Sequence, residues 1–294
     1  LGTYSWVVVI ASLVLTFCVA AVIIGGVKRI ASVSQVVVPF MAIIYFIFAL
    51  ALVLFNIKEV PQAIVTIVQA AFNPKAVTGG VVGSMLVAMQ NGVARGIFSN
   101  EAGLGSAPIA AAAAQTKEPV RQGLVSMTGT FIDTIVICTL TGLSVVITGA
   151  WQVEGLEGVQ VTTYAFQHGL PFSNTFCAAV LMICLVFFAF TTILGWDYYG
   201  ERCLEYLTGK DQKKIKIYRW LYILAVFIGP YMTVAAVWTI ADIFNGLMAL
   251  PNMIALFALS GVVVKETKRF FDVYADQKMA KKKSSVSIKD AAKN

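Results

Sequence analysis

Long apolar runs separated by short polar segments dominate the chain, and most of them are long enough to cross a bilayer. A membrane-spanning helix needs about 20 predominantly apolar residues. Seven runs meet this requirement, at 5–24, 33–56, 81–114, 123–148, 172–196, 217–238 and 240–264. The apolar segment at 60–72 is too short to span and predicts an interfacial or re-entrant helix. The pattern therefore predicts an all-α, multi-pass membrane protein.

The composition agrees with this prediction and excludes other classes. Hydrophobic residues make up 59% of the chain and charged residues 13%, against about 25% charged residues in a soluble domain. The net charge of +7 does not indicate a nucleic-acid partner, because the basic residues lie in the predicted loops and tail. The five cysteines form no CxxC pair, and with one histidine they indicate neither a zinc site nor a disulfide framework.

The basic residues divide unevenly between the two sides of the membrane if the seven spans alternate. Nineteen of the 22 Lys and Arg residues fall on one side, in the loops after the first, third and fifth spans and at the end of the chain. The other side has only Lys58 and Lys75, and its loop at 149–171 has none. Because basic residues favour the cytoplasmic side, the first span is predicted to start outside and the C-terminus to be cytoplasmic.

The chain divides into a transmembrane domain at 1–271 and a lysine-rich tail at 272–294. The polar composition of the tail predicts disorder or attachment to the anionic inner leaflet. The first residue is Leu1, which leads directly into an apolar stretch. We therefore expect the N-terminal part of a longer protein to be missing.

The third span contains a break. A continuous helix over 81–114 would be about 51 Å long at about 1.5 Å per residue, whereas the hydrocarbon core is about 30 Å thick. Its middle, 98–105, has polar residues and glycines, and Pro108 follows. Discontinuous helices present backbone groups to substrates and cations in many transporters. The alternative is a glycine-rich cytoplasmic loop, but the alanine-rich stretch at 109–114 favours a second helical half inside the membrane.

Two segments resemble one family of transporters. Residues 92–108 (GVARGIFSNEAGLGSAP) and 191–202 (TTILGWDYYGER) look like the alanine or glycine:cation symporters, also called sodium:alanine symporters. The similarity covers essentially the whole chain. The resemblance implies a leucine-transporter-like fold, in which two inverted repeats supply ten core helices. The seven spans would then be core helices 4 to 10, and helices 1 to 3, the first of which completes the site, would be missing.

The resemblance also implies where a substrate binds. Phe98 would form an aromatic wall, and Ser99 and Asn100 would be unwound polar residues that face the substrate. The backbone around Gly103 would offer groups to an amino acid. Trp196 could close the site from below, although a tryptophan near the interface is often only a membrane anchor.

The predicted cation site lies in the fifth span. Sodium favours several hard oxygen ligands, as other hard cations do. Thr191 and Thr192 place two hydroxyls in an otherwise apolar helix, and Thr191 could free the carbonyl of Phe188. In the family's fold this trio resembles the helix-8 half of a sodium site. The alternative is that the threonines hydrogen-bond to their own helix.

Three charged residues in the spans form a possible intramembrane network. Arg95 needs a partner or a wet vestibule, because an unpaired intramembrane arginine is costly. Glu101 either binds the substrate ammonium group or pairs within the helix break, and we favour the second role. Asp133 could neutralise a cation, relay a proton or pair with Arg95. Asp242 is predicted to be an external loop or cap residue.

Together these features predict a sodium-coupled symporter that carries alanine or glycine into the cell across the plasma or inner membrane. Sodium would be co-transported, and lipid would surround the spans. The alternatives are the same fold with another small solute or with protons, and a channel subunit. The sequence shows neither a nucleophile–base pair nor a metal cluster, so an enzyme is not indicated.

Overall fold

The computed structural model describes residues 6–72 and 80–291 and, within them, the side chains of 6–71 and 86–274. All regular elements in these ranges are helical. The α-helices are α1 (Trp6–Ile23), α2 (Val27–Phe55), α3 (Val60–Phe72), α4 (Gly80–Asn100), α5 (Ala107–Ala111), α6 (Pro119–Phe131), α7 (Thr139–Ile147), α8 (Val159–Gly169), α9 (Asn174–Thr208), α10 (Gln212–Ile228) and α11 (Val234–Ala291). A π-helical segment, Ile132–Cys138, joins α6 to α7 without a break.

Five helical stretches in the described part of the chain are long and apolar enough to cross a membrane. They are Trp6–Ile23, Val27–Phe55, Pro119–Ile147, Asn174–Thr208 and Val234–Tyr274. The third and sixth predicted spans are not among these five. The helix of the third span, α4, ends at a break, and that of the sixth, α10, is only 17 residues long. The chain is thus an all-helical, multi-pass membrane protein. The short segment at 60–72 forms α3.

The boundary between the last two predicted spans was placed wrongly. The sequence suggested spans at 217–238 and 240–264, but α10 ends at Ile228 and α11 begins at Val234. The turn contains Gly229 and Pro230, and proline cannot donate the backbone hydrogen bond that a continuing helix needs. Apolar residues continue through this turn, so hydropathy alone does not reveal it.

Two segments predicted to lack helix are helical. The predicted loop at 149–171 contains α8, whose residues Ala165 and Phe166 are buried. Hydropathy did not predict α8, because only one face of the helix packs on the domain and its composition is therefore mixed. The tail continues α11 as helix to Ala291, which contradicts the predicted disorder, whereas its attachment to the inner leaflet stays a prediction.

Helix α9 is the central packing element, and one apolar cluster lies near each end of its apolar half. Near its start, Cys177 and Cys184 pack with Tyr45 and Leu52 of α2 and Phe166 of α8. Further along, Leu194 packs with Val19 and Ile23 of α1 and Ile30 of α2. These contacts fix α2 and α9 side by side, which positions the cavity described below.

Candidate substrate and cation site

The helix break begins at Glu101, three residues later than predicted. Ser99 and Asn100 are still in the last turn of α4, so the expectation that they are unwound is wrong. Three residues that follow have positive φ angles: Glu101 (56°), Gly103 (85°) and Gly105 (81°). Such angles end a right-handed helix, and glycine adopts them without steric cost. The second helical half is only α5, which ends at Ala111 and not near 114.

Side chains from within and outside the break hold it open. The buried Ser106 hydroxyl donates a hydrogen bond to Oε2 of Glu101 at 2.7 Å. The Nδ2 of Asn252, in α11, donates to the carbonyl of Gly103 at 3.0 Å. The structural role favoured for Glu101 agrees with the first contact. Asn252 was missed, although a polar residue directly after Pro251 in an apolar run is a signal that could have identified it.

The end of α4 is tied to the π-helical segment by polar contacts. The Ser99 hydroxyl lies 3.0 and 2.8 Å from the two carboxylate oxygens of Asp133. The Asn100 Nδ2 donates to the hydroxyl of Thr134 at 2.9 Å, and its Oδ1 accepts from the amide of Ala102. Single-turn π segments often occur at functional sites. Here the segment places Asp133 and Thr134 opposite α4.

Arg95 pairs with Asp242 and not with Asp133. Its Nη2 lies 2.9 Å from Oδ2 of Asp242, and its guanidinium carbon is 4.0 Å from the ring centroid of Trp238. Phe98 packs on the same indole with a centroid separation of 5.1 Å. Asp242 lies within α11, so the prediction that it is a loop or cap residue is wrong. The cluster joins α4 to the start of α11.

The two threonines of α9 differ in environment. Thr191 is buried, and its hydroxyl donates to the carbonyls of Phe187 at 2.9 Å and Phe188 at 3.2 Å. Helix α9 continues through this position, so the expectation that Thr191 interrupts the backbone hydrogen bonds of the helix is wrong. It instead makes the back-bonded contact that was the alternative. Thr192 is exposed and projects into the neighbouring cavity.

A cavity of about 340 Å³ connects the helix break to α2 and α9. It brings together four predicted residues, Glu101, Thr191, Thr192 and Trp196. Five further lining residues were not predicted: Ser34, Val38, Met41, Gly195 and Tyr199. The rings of Trp196 and Tyr199 meet edge-to-face at 5.7 Å, and the Tyr199 side chain also interacts with Glu101.

The cavity does not unite every predicted site residue. Phe98, Ser99, Asn100, Gly103 and Phe188 are outside its lining, as are Arg95 and Asp133. A hydroxyl, a carboxylate and two aromatic rings nonetheless surround it. This arrangement can bind a small zwitterion through polar contacts and restrict its size through the rings.

The sequence is similar throughout to known transporters. A model described as the sodium:alanine symporter family matches residues 2–287. An uncharacterized transporter of Haemophilus influenzae is 54% identical over 270 residues, which are 92% of this chain and 58% of that protein. The sodium/alanine symporter AgcS of Methanococcus maripaludis is 48% identical over 267 residues, which are 90% of this chain and 57% of that protein.

A third relative carries a different substrate in its name. The probable sodium/glutamine symporter GlnT of Bacillus subtilis is 38% identical over 282 residues, which are 96% of this chain and 56% of that protein. The chain thus spans somewhat more than half the length of each of these relatives. With the match across nearly all of its residues, the chain belongs to the sodium:alanine symporter family.

Proposed function

We propose that this chain forms most of the transport domain of a sodium-coupled symporter that brings alanine or glycine into the cell by alternating access. The observation that carries the proposal is the cavity between the broken helix and the paired threonines of α9. Family membership and the name of the 48% identical relative, a sodium/alanine symporter, support it.

We assign the amino acid to the side of the cavity formed by Glu101, Trp196 and Tyr199. The Glu101 carboxylate is already engaged by Ser106, which leaves its other oxygen for an ammonium group or for Tyr199. The rings of Trp196 and Tyr199 limit the length of the substrate side chain. Small neutral amino acids fit a site of this size, since cavities for drug-sized ligands begin at about 300 Å³.

The residues at the end of α4 have a supporting role in this proposal. Ser99 and Asn100 bind Asp133 and Thr134, and Phe98 packs on Trp238. They fix where α4 stops and therefore where the backbone of Gly103 faces. We propose that a conformational change that moves the end of α4 brings Phe98, Ser99 and Asn100 to the substrate.

We assign sodium to Thr191, Thr192 and the carbonyl of Phe188. The Thr191 hydroxyl lies 3.2 Å from that carbonyl, so two oxygens already converge on one face of α9. Thr192 adds a third from the cavity side. Hard cations take more oxygen ligands than three, and the others would come from core helix 1 of the leucine-transporter-like fold, outside this chain.

The same proposal sets the orientation of the chain. Its helices would be core helices 4 to 10 of two inverted repeats in the plasma or inner membrane, with the C-terminus in the cytoplasm. The large apolar side chains exposed along the outer helices, such as Trp6, Phe17 and Phe257, would contact lipid. The Arg95 to Asp242 pair would join the part of α4 just before its break to the outward part of α11.

Uptake of labelled substrate tests the proposal. The full-length protein that contains this chain is reconstituted in vesicles, and uptake of labelled alanine, glycine and glutamine is measured with and without an inward sodium gradient. We expect alanine or glycine to accumulate only with sodium. Uptake that ignores sodium would refute the coupling, and preferred uptake of glutamine would refute the assigned substrate.

A single hydroxyl tests the cation site. Thr192→Val removes the proposed ligand without breaking a hydrogen bond that the structure shows. We therefore expect the sodium concentration for half-maximal uptake to rise about tenfold. A tenfold change corresponds to a loss of about 1.4 kcal/mol in the free energy of sodium binding. Thr208→Val is the control, because Thr208 is on the same helix and, among the described residues, its hydroxyl bonds only to the carbonyl of Leu204. Equal sodium dependence in both variants would exclude Thr192 as a ligand.

A further inference from the structure

Asp197 is a fully buried carboxyl group in the second half of α9. Its exposed fraction is 0%. It lies one turn beyond Leu194, which belongs to the apolar cluster that packs on α1 and α10. The hydroxyl of Tyr218, from α10, approaches the backbone carbonyl of Asp197 at 3.5 Å. Gly200 permits this approach, because a Cβ at that position would collide with the Tyr218 hydroxyl. The two helices thus close over Asp197.

Neither carboxylate oxygen of Asp197 has a hydrogen-bond partner within the described part of the chain. One turn later, Glu201 is as deeply buried but fully engaged. Arg219 donates to both of its oxygens, at 2.7 and 2.8 Å, and Arg202 adds a third contact at 3.1 Å. The contrast between two carboxyls on one face of one helix calls for a chemical explanation.

The charges around Asp197 are balanced without it. Glu201 and Glu205 offset Arg202 and Arg219, which bind them directly. Asp197 is therefore a surplus carboxyl group.

No cation on the other packed helices is left for Asp197 either. On α10, the three lysines Lys213, Lys214 and Lys216 are exposed. The uncharged Tyr218 and Tyr222 of the same helix both donate to backbone carbonyls of α9. Helix α1 contributes only the exposed Cys18, and the cations of α2, Lys28 and Arg29, are exposed. Helix α5 has no titratable residue, and α8 packs near Cys177, at the other end of α9.

A buried carboxylate without a cation or a hydrogen-bond donor is strongly disfavoured, and such a group becomes neutral instead. A metal ion of the kind held by acid, histidine or cysteine ligands could also neutralise it, but the described residues contain no cluster of three such side chains. A proton needs no such cluster. We propose that Asp197 is a proton-binding site, whose carboxyl is protonated in this conformation and ionises only when α9 and α10 separate and water reaches it.

Infrared difference spectroscopy tests this assignment without relying on transport. Spectra of the purified full-length protein are recorded at neutral pH in H₂O and D₂O, without substrate, for the wild type, Asp197→Asn and Glu205→Gln. Glu205 is the control because it lies on the same helix and pairs with Arg202, away from Asp197. A protonated carboxylic acid gives a carbonyl band that shifts in D₂O and that an ionised carboxylate lacks. We expect one such band to be lost in Asp197→Asn and retained in Glu205→Gln. We also expect Asp197→Asn to unfold at the wild-type temperature, because asparagine is a neutral isostere.

The opposite results overturn the proposal. A band that persists in Asp197→Asn, or that disappears in Glu205→Gln, places the proton elsewhere. If Asp197→Asn does not fold, wild-type protein labelled with ¹³C-aspartate decides: absence of an isotope-shifted acid band, or its loss in Asp133→Asn, refutes the site. Because no spectrum depends on uptake, a failure of sodium-driven transport would leave this result unchanged.

Discussion

Neutralising Glu201 is the most direct test of how the α9–α10 contact is stabilised. Its side chain is 3% exposed and receives Arg219 through Nε at 2.7 Å and Nη2 at 2.8 Å. Arg202 adds a contact at 3.1 Å and also pairs with Glu205 at 2.6 Å. Glu201→Gln keeps the size of the side chain and one acceptor oxygen but removes the charge that two guanidinium groups share.

The expected loss follows from the burial of these groups. Removing one partner of a buried ion pair costs about 3–5 kcal/mol. The arginines are 27% and 33% exposed, so water can partly solvate them after the substitution, and we expect about 2–3 kcal/mol. For a large protein, about 2 °C per kcal/mol converts this to a fall of roughly 4–6 °C in the unfolding temperature.

The assay is thermal unfolding of the purified full-length protein in detergent, followed by tryptophan fluorescence. Glu205→Gln is the matched control, because the Glu205 carboxylate pairs only with Arg202 among the described residues and its side chain is 17% exposed. We expect it to lower the unfolding temperature by about 1–2 °C, as for a partly exposed pair worth up to about 1 kcal/mol. Equal shifts in the two variants would refute the reasoning that burial of Glu201 sets the magnitude.

Two further substitutions test the helix break and its neighbour. Gly105→Ala forces a side chain into a φ of 81° and places its Cβ 3.1 Å from Oδ1 of Asn252, whereas Gly103→Ala meets only the backbone strain of about 1–2 kcal/mol. We therefore expect Gly105→Ala to lower the unfolding temperature and the uptake rate more than Gly103→Ala, and the reverse order would contradict the bracing by Asn252. Asp242→Asn should lower the free energy of unfolding by less than about 1 kcal/mol, because the side chains of Arg95 and Asp242 are 41% and 43% exposed. A loss of stability as large as that of Glu201→Gln would show instead that the pair is desolvated.

The helix break was predictable from sequence because its chemistry is local. Polar residues, two glycines and a proline within an apolar segment conflict with any continuous helix, and the structure shows the break at Glu101–Ser106. Its start was placed too early because Ser99 and Asn100 have low helix propensity. Their tertiary contacts with Asp133 and Thr134 keep them in the last turn of α4, and no local pattern encodes those contacts.

The cavity was only partly predictable for the same reason. Thr191, Thr192 and Trp196 are unusual residues in an apolar helix and are visible in the sequence alone. Ser34 and Tyr199 line the same cavity but lie in segments whose composition does not distinguish them. They become significant only because α2 packs alongside α9. The pairing of Arg95 with Asp242, which are 147 residues apart, likewise depends on where α11 begins, and hydropathy placed that boundary wrongly.

The contacts at the break indicate how it can be both stable and movable. Ser106 binds Glu101 within the break, Asn252 binds it from α11, and Asp133 binds the preceding turn. Backbone in unusual conformations persists where several contacts determine it together, so loss of one contact should loosen the break without unfolding it. Each of the three contacts comes from a different element. A relative movement of α11 or of the π-helical segment would therefore change the break directly, as the proposed alternating access requires.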